Sequence, residues 1–352
     1  MLSVGESHTV LVTGGAGFIG SHLILTLAAR YPHWKIINLD NLDYCSSLKN
    51  LKFLEGTSTY KFILGDVCDQ FFIEHLFTTE DISVVFHCAA QTHVESSFAC
   101  PSRFMRVNAD GTEELVRAAF QARVSRFIFV STDEVYGQSL KQPFDETSPQ
   151  RPTNPYSSAK AAAENIVISY WRKHKFPVII TRSNNVYGPR QYQEKVIPKY
   201  LSLIQRNQKC TVEGTGLQSR HFLYVDDLTE AFLIVMERGV LGEIYNIGTN
   251  FEIPIIQLAR QLVQMTVKNV SNEQLDDWIE FVEDRPVREM RYPMISDKLH
   301  RLGWKSKVSW KEGIRRTIKW HEENPEFWPL IPNRKEENLT AAVDIIGSAK
   351  TN

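Results

Sequence analysis

Through its first half the chain alternates short unbroken apolar runs with longer stretches in which apolar residues recur every three or four positions. Residues 9–13, Thr-Val-Leu-Val-Thr, read as a buried strand, and so do 35–40, 61–64, 83–86, 126–130 and 178–181. The intervening stretches predict helices at 18–30, 69–79, 101–122 and 155–174. Strict alternation of this kind implies right-handed βαβ units. The expected class is therefore α/β, with a Rossmann-type doubly wound parallel sheet.

Beyond about residue 185 the rhythm loosens into Gly, Pro and polar segments, with helices expected near 194–207, 226–237, 254–267 and 310–322. This half predicts a smaller C-terminal α/β substrate lobe. The expected division is a cofactor-binding domain over 1–185, a substrate lobe over 186–330 with the chain crossing between the two, and a polar, frayed tail over 331–352. No period of 20 to 50 residues repeats, which argues against solenoids and propellers.

Composition narrows the partners. The 352 residues are 43% hydrophobic and 23% charged with a formal net charge of −1, so there is a substantial core but no global field for nucleic acid or acidic lipid. No apolar run approaches the ~18 residues of a spanning helix, and the first residues carry no basic and apolar leader pattern. Five cysteines, an odd number without a CxxC pair, suggest reduced thiols. A soluble, cytoplasmic protein with no membrane partner and no bound metal is expected.

The candidate chemistry begins where the first strand ends. Residues 14–20, Gly-Gly-Ala-Gly-Phe-Ile-Gly, contain G-x-G-x-x-G between a strand and a helix, with Asp40 twenty positions further on. In that context the glycines let backbone amides approach a pyrophosphate at a helix N-terminus, and the acid takes the ribose hydroxyls. Gly14, Gly17, Phe18, Ile19 and Gly20 form the candidate cradle. Asp40 followed by Asn41 instead of arginine favours NAD over NADP. Asp66 with Val67 after the third strand, and Ala89 with Ala90 after the fourth, complete the cofactor side.

A second cluster follows the fifth strand, in Ser131-Thr-Asp-Glu-Val-Tyr-Gly137 and Tyr156-Ser-Ser-Ala-Lys160. Asn154-Pro155 caps a helix whose first turn carries Tyr156, with Lys160 one turn later on the same face. An ammonium and a cationic nicotinamide nearby would favour the Tyr156 phenolate as a base for an alcohol proton. Asp133 and Glu134 are superfluous for plain dehydrogenation, but suit a water elimination that needs one acid and one base.

Together the glycine loop, the Ser-Thr-Asp-Glu-Val-Tyr-Gly segment and the Tyr-x-x-x-Lys helix resemble the extended short-chain dehydrogenase/reductase family, and the Asp-Glu pair is similar to that of its nucleotide-sugar 4,6-dehydratases. The likeness spans about 8–322 and includes His87-Cys-Ala-Ala-Gln-Thr-His93, Asn184-Asn-Val-Tyr-Gly-Pro189, Glu194-Lys-Val-Ile-Pro198, the run from Arg220 to Asp227, Tyr245-Asn-Ile-Gly248, Asp284-Arg-Pro286 and Leu302-Gly-Trp304. It implies NAD as cofactor and a dTDP- or UDP-linked glucose as substrate. Tyr156, assisted by Thr132, would oxidise C4. Glu134 would take the C5 proton and Asp133 would protonate the departing C6 hydroxyl, while Lys160 would also hold the nicotinamide ribose. Thr92, Asn185, Lys195, Val196, Arg220 and Arg285 fall at sugar-nucleotide positions, and a homodimer through the helices at 101–122 and 155–174 is implied. The sequence departs from the family pattern at Gln91 and Thr92, at Val186, and at Val287 and Arg288. A 4-epimerase or decarboxylase would share Tyr156 and Lys160, and a weakly catalytic binder of the same ligands would share the whole set.

Overall fold

The computed structural model describes residues 6–329 apart from 285, 286 and 288. Arg285 and the expected tail over 331–352 thus lie outside the described residues. In chain order the strands are β1 (Thr9–Thr13), β2 (Lys35–Asp40), β3 (Tyr60–Leu64), β4 (Val84–His87), β5 (Arg126–Thr132), β6 (Val178–Ser183), β7 (Asn185–Tyr187), β8 (Cys210–Glu213), β9 (Ser219–Tyr224), β10 (Ile244–Ile247), β11 (Glu252–Pro254) and β12 (Ile279–Val282). The helices are α1 (Phe18–Arg30), α2 (Gln70–Thr79), α3 (Val94–Ala99), α4 (Pro101–Met105), α5 (Gly111–Gln121), α6 (Pro155–His174), α7 (Val196–Gln205), α8 (Val225–Arg238), α9 (Ile255–Thr266), α10 (Asp297–Arg301) and α11 (Trp310–Glu323).

Seven strands pair in the order β10-β6-β5-β4-β1-β2-β3, all parallel. Alternation along each strand assigns its side chains to two faces. Val10, Val12, Ile36, Ile128 and Val130 pack with α1 and α8 on one side. Leu11, Ile37, Phe127 and Phe129 pack with α2, α5 and α6 on the other. The near-continuous apolar runs in the sequence reflect this two-sided burial. A three-stranded sheet, β11-β9-β7, and a two-stranded one, β12-β8, build a third core with α7, α9 and α11 beyond the carboxyl ends of the large sheet. Among the described residues no helix is long and apolar enough to cross a membrane.

Two features differ from the sequence pattern. β5 runs two residues past Val130, because Ser131 and Thr132 continue the register opposite Arg182 and Ser183 of β6. The single helix expected over 101–122 is interrupted by a π-type turn at Arg106–Asp110. That turn lets the Asn108 side chain pair both ways with the Gln91 backbone, accepting from its amide at 2.8 Å and donating to its carbonyl at 2.9 Å. Beyond residue 185 the chain also returns to the large sheet, where β10 pairs with β6.

Candidate active site

Between β1 and α1 the chain reverses within four residues, and glycine makes this possible at two points. Gly14 lies at φ +66°, where a Cβ would meet the Ala89 backbone at 2.8 Å. A Cβ on Gly20 would come 2.2 Å from the Gly14 carbonyl oxygen, so the first turn of α1 sits directly on the loop. Asp40 at the end of β2 pins the same loop. Its Oδ2 accepts from the Ala16 amide at 2.9 Å and its Oδ1 from the Leu42 amide at 2.8 Å. Burial pushes the Asp40 carboxyl above its ordinary value, against the pull of those amides. Beyond these amides and the Ser46 side chain, the carboxylate keeps lone-pair capacity with which to receive a ribose hydroxyl.

The opposite wall rests on an uncharged relay. Thr112 Oγ1 donates to the Asn108 carbonyl at 2.6 Å and so can only accept from His87 Nε2, 2.9 Å away. This assigns the proton to Nε2 and leaves Nδ1 to accept from Thr13 Oγ1 at 2.7 Å. Burial holds the imidazole neutral, with its pKa lowered to about 3. Ala89 and Ala90 follow directly and line the cleft. From the mouth, Asp43 Oδ2 accepts from Gln91 Nε2 at 2.7 Å and from Arg103 at 2.6 Å, while the Tyr44 hydroxyl donates to Glu194 at 2.7 Å. The segment after β2 is thereby clasped to the loop after β4 and to the approach to α7.

The cleft so enclosed measures about 1750 Å³, solvent at its mouth included. On the cofactor side its walls include Gly14, Gly17, Phe18, Ile19, Gly20, Asp40, Asn41, Asp66, Val67, Ala89 and Ala90. On the chemical side they include Thr92, Thr132, Asp133, Glu134, Tyr156, Lys160, Asn185, Lys195 and Val196. Among the described lining residues the only cations are Lys160 and Lys195. A cradle of amides with the Asp40 carboxylate at the end of β2 and no arginine among its described residues fits NAD better than a 2′-phosphorylated dinucleotide. Arg220 does not line the cleft. Its Nη1 donates to the carbonyls of Ser219, Glu289 and Met290 at 2.8, 3.1 and 3.4 Å, and its guanidinium lies 4.7 Å over the Tyr292 ring.

The chemical groups meet where β5 passes into the turn Asp133–Tyr136. Thr132 caps that turn by accepting from the Glu134 amide, and its hydroxyl lies 3.3 Å from Asp133 Oδ1. Burial raises the Asp133 carboxyl to about 7, opposed by a hydrogen bond from Asn184 and assisted by the Glu134 charge. Burial also raises Glu134, which accepts from Asn154 Nδ2 at 3.1 Å and feels the positive charges of Arg220 and Lys195. Lys195 Nζ donates to the Thr92 carbonyl at 2.8 Å.

Helix α6 presents Tyr156 and Lys160 from beneath. Its capping box joins Asn154 and Ser157, and both Tyr156 and Lys160 are buried. One expectation needs correction. Lys160 does not pull the Tyr156 phenol down; burial, then the charge of Glu134, pushes it up, with only the Thr132 hydroxyl opposing among the neighbouring side chains. The Lys160 ammonium donates to the Val130 carbonyl at 2.7 Å over the Phe129 ring, with its own pKa lowered to about 8 by burial.

Several residues of the site carry no local sequence signal: Asp43 and Tyr44 of the clasp, and Glu289 and Tyr292 behind the acid pair, where the Tyr292 hydroxyl donates to Glu289 at 2.8 Å. Asn184 could have been suspected only from its place beside Asn185.

A doubly wound sheet with a glycine loop at its switch point, and a Tyr-Lys helix facing an acid pair, defines a nucleotide-sugar-modifying enzyme of the extended short-chain dehydrogenase/reductase type. The chain belongs to the GDP-mannose 4,6 dehydratase family, whose model matches residues 11–317. It is 58% identical over 332 residues to a dTDP-D-glucose 4,6-dehydratase of Homo sapiens, covering 94% of this chain and 95% of that one. A dTDP-glucose 4,6-dehydratase of Streptomyces venezuelae, solved with NAD bound, matches with a TM-score of 0.86 at 34% identity, over 91% of this chain and 98% of the other. A UDP-glucose 4-epimerase of Thermotoga maritima reaches 0.82 at 30% identity, over 90% and 100%. The backbone alone therefore does not separate elimination from epimerisation.

Proposed function

We propose that this protein is an NAD-dependent hydro-lyase that converts dTDP-glucose into its 4-keto-6-deoxy derivative and water. The observation that carries the reading is the pair Asp133 and Glu134, consecutive on one turn yet differently solvated and bonded, facing Tyr156 across one cleft. Burial raises both carboxyls and the Glu134 charge raises Asp133 further, which favours one protonated and one ionised partner, as an elimination requires.

The glycine loop, Asp40, Asp66, Val67, Ala89, Ala90 and Lys160 would hold the dinucleotide. NAD, when bound, supplies the acceptor for hydrogen leaving C4 and the donor for hydrogen arriving at C6. The chain's own groups move the protons. Tyr156, hydrogen-bonded by Thr132, takes the C4 hydroxyl proton. Because burial and Glu134 disfavour the phenolate, that transfer depends on positive charge delivered with the cofactor. The resulting 4-ketone acidifies C5, and Glu134 removes its proton. Asp133 protonates the C6 oxygen, which leaves as water, and Glu134 returns a proton to C5. One water is lost and no net oxidation occurs. Thr92, Asn185, Lys195 and Val196 would contact the sugar nucleotide. Arg220, held behind the acid pair, would act on it through charge or after leaving its carbonyl partners.

Because the cofactor is regenerated in each turn, purified protein given dTDP-glucose and no added NAD should release product lighter by one water, read by mass spectrometry. A parallel UDP-glucose reaction compares the two bases. Appearance of the C4 epimer without water loss would overturn the reading.

The division at about residue 185, with the chain crossing between lobes, is kept as part of this proposal. So is a homodimer through α4, α5 and α6, supported by the exposed Phe98 and Met105 on the adjoining surface and testable by light scattering. Five free thiols support a reducing, cytoplasmic setting.

A further inference from the structure

We propose that Asn184 is a positioning residue for the elimination: it reserves Oδ2 of Asp133 as an acceptor and so confines the acidic proton to Oδ1, on the Thr132 side. This rests on the dehydratase reading and extends it to a residue outside the motif.

Asn184 follows the last residue of β6 and is 3% exposed. The Thr249 amide lies 3.1 Å from its Oδ1. A backbone N–H can only donate, so the side-chain oxygen must face Thr249 and the amide nitrogen must face Asp133. Nδ2 is 2.9 Å from Asp133 Oδ2. An amide NH2 donates and offers no lone pair in return, so the oxygen opposite it has to accept. The Thr132 hydroxyl donates to Oδ1 of the ionised carboxyl at 3.3 Å, but a hydroxyl can turn and accept where the Asn184 amide cannot, so when Asp133 carries a proton it sits on Oδ1. Thr132 lines the cleft and bonds Tyr156, so Oδ1 is the oxygen on the side of the groups that would act on the sugar. Without Asn184 the proton could rest on Oδ2, turned away from the leaving group. Gly248 makes the arrangement possible, since a Cβ there would come 2.4 Å from Asn184 Oδ1. The glycine of Tyr245-Asn-Ile-Gly248 thereby acquires a function.

The charged and titratable groups facing Asp133 are Glu134 on its own turn, Arg220 from β9 and Tyr156 from α6. With the Arg220 charge and against burial and the Glu134 charge, the Asn184 bond favours the ionised carboxyl, so its loss raises the affinity of Asp133 for its proton.

The test is Asn184→Asp, which keeps the size of the side chain and an acceptor for Thr249 but presents an oxygen to Oδ2 of Asp133. The two carboxyls then share a proton on the wrong side. With dTDP-glucose, reduced nicotinamide should still form at nearly the wild-type rate, while water loss slows about 100-fold, the lower end of a general-acid contribution. The basic limb of the dehydration rate should move to higher pH. With the 6-deoxy-6-fluoro analogue, whose leaving fluoride needs no proton, most of the loss should be recovered. Equal slowing of nicotinamide reduction, an undiminished defect with the fluoro analogue, or normal water loss would each overturn the proposal. If circular dichroism shows Asn184→Asp to be unfolded, Asn184→Ser, a donor too short to reach, is read with the same two substrates against the same outcomes. Wild-type protein that fails to oxidise either sugar would instead remove the dehydratase reading, and this assignment with it.

Discussion

Glu134→Gln is expected to leave sugar oxidation intact and to cut dehydration by about 10³-fold, within the range of a lost general base. Glutamine keeps an oxygen for the 3.1 Å bond from Asn154, so the turn stays in place. What it removes is the only proton acceptor proposed for C5. Burial raises this carboxyl above its ordinary value, which makes its ionised form a stronger base than a solvated glutamate. The ketone should then accumulate beside reduced nicotinamide, seen as a lasting absorbance rise after mixing enzyme with dTDP-glucose. Mass spectrometry should find no product lighter by water. Wild-type dehydration rates in this variant would take Glu134 out of the mechanism.

The second large effect concerns stability. Glu164 on α6 and Arg182 on β6 form an ion pair in the interior, 0% and 2% exposed, with Nε at 2.9 Å and Nη2 at 2.5 Å from the carboxylate. Gln150 adds a third donor at 2.6 Å, and the guanidinium lies 4.5 Å over the Tyr136 ring. Glu164→Ala leaves the arginine charged and unpaired in low dielectric, which should cost about 3–5 kcal/mol, measurable by urea unfolding. Replacing both partners together, Glu164→Leu with Arg182→Met, should restore much of that loss, because the desolvation of two charges disappears along with their attraction. A single-variant loss below about 1 kcal/mol would mean that water reaches Arg182. Tyr136 belongs to the turn bearing Asp133 and Glu134, and its hydroxyl bonds Asn246 at 2.7 Å. The ion pair therefore holds up the acid pair from below, and Glu164→Ala should slow elimination as well as weaken the fold.

The large sheet was legible because its strands are buried on both faces, which writes continuous apolar runs between amphipathic helices. The later strands were not. Asn185–Tyr187 and Glu252–Pro254 are three residues each, and Ile244–Ile247 becomes a strand only by pairing with β6. Local pattern cannot encode a partner so distant in the chain. The site divides in the same way. The glycine loop and the two segments around Asp133 and Tyr156 carry their chemistry among near neighbours in sequence, so spacing reveals it. Asn184, Asp43 and Glu289 matter through contacts with residues far along the chain. The Tyr156 and Lys160 spacing places both on one helix face, but spacing says nothing of the Val130 carbonyl that accepts from the ammonium.

The wide turn at Arg106–Asp110 makes length, more than composition, the strict quantity in this stretch. Losing or gaining one residue there would rotate the preceding helical turn against the following one by about 100° and shift it by about 1.5 Å. Asn108 would swing off the Gln91 backbone, and with Gln91 would go one of the two bonds that hold Asp43 over the cleft. Substitutions that keep this length leave the contact between Asn108 and Gln91 in place. Insertions and deletions have to fall in the surface loops around it.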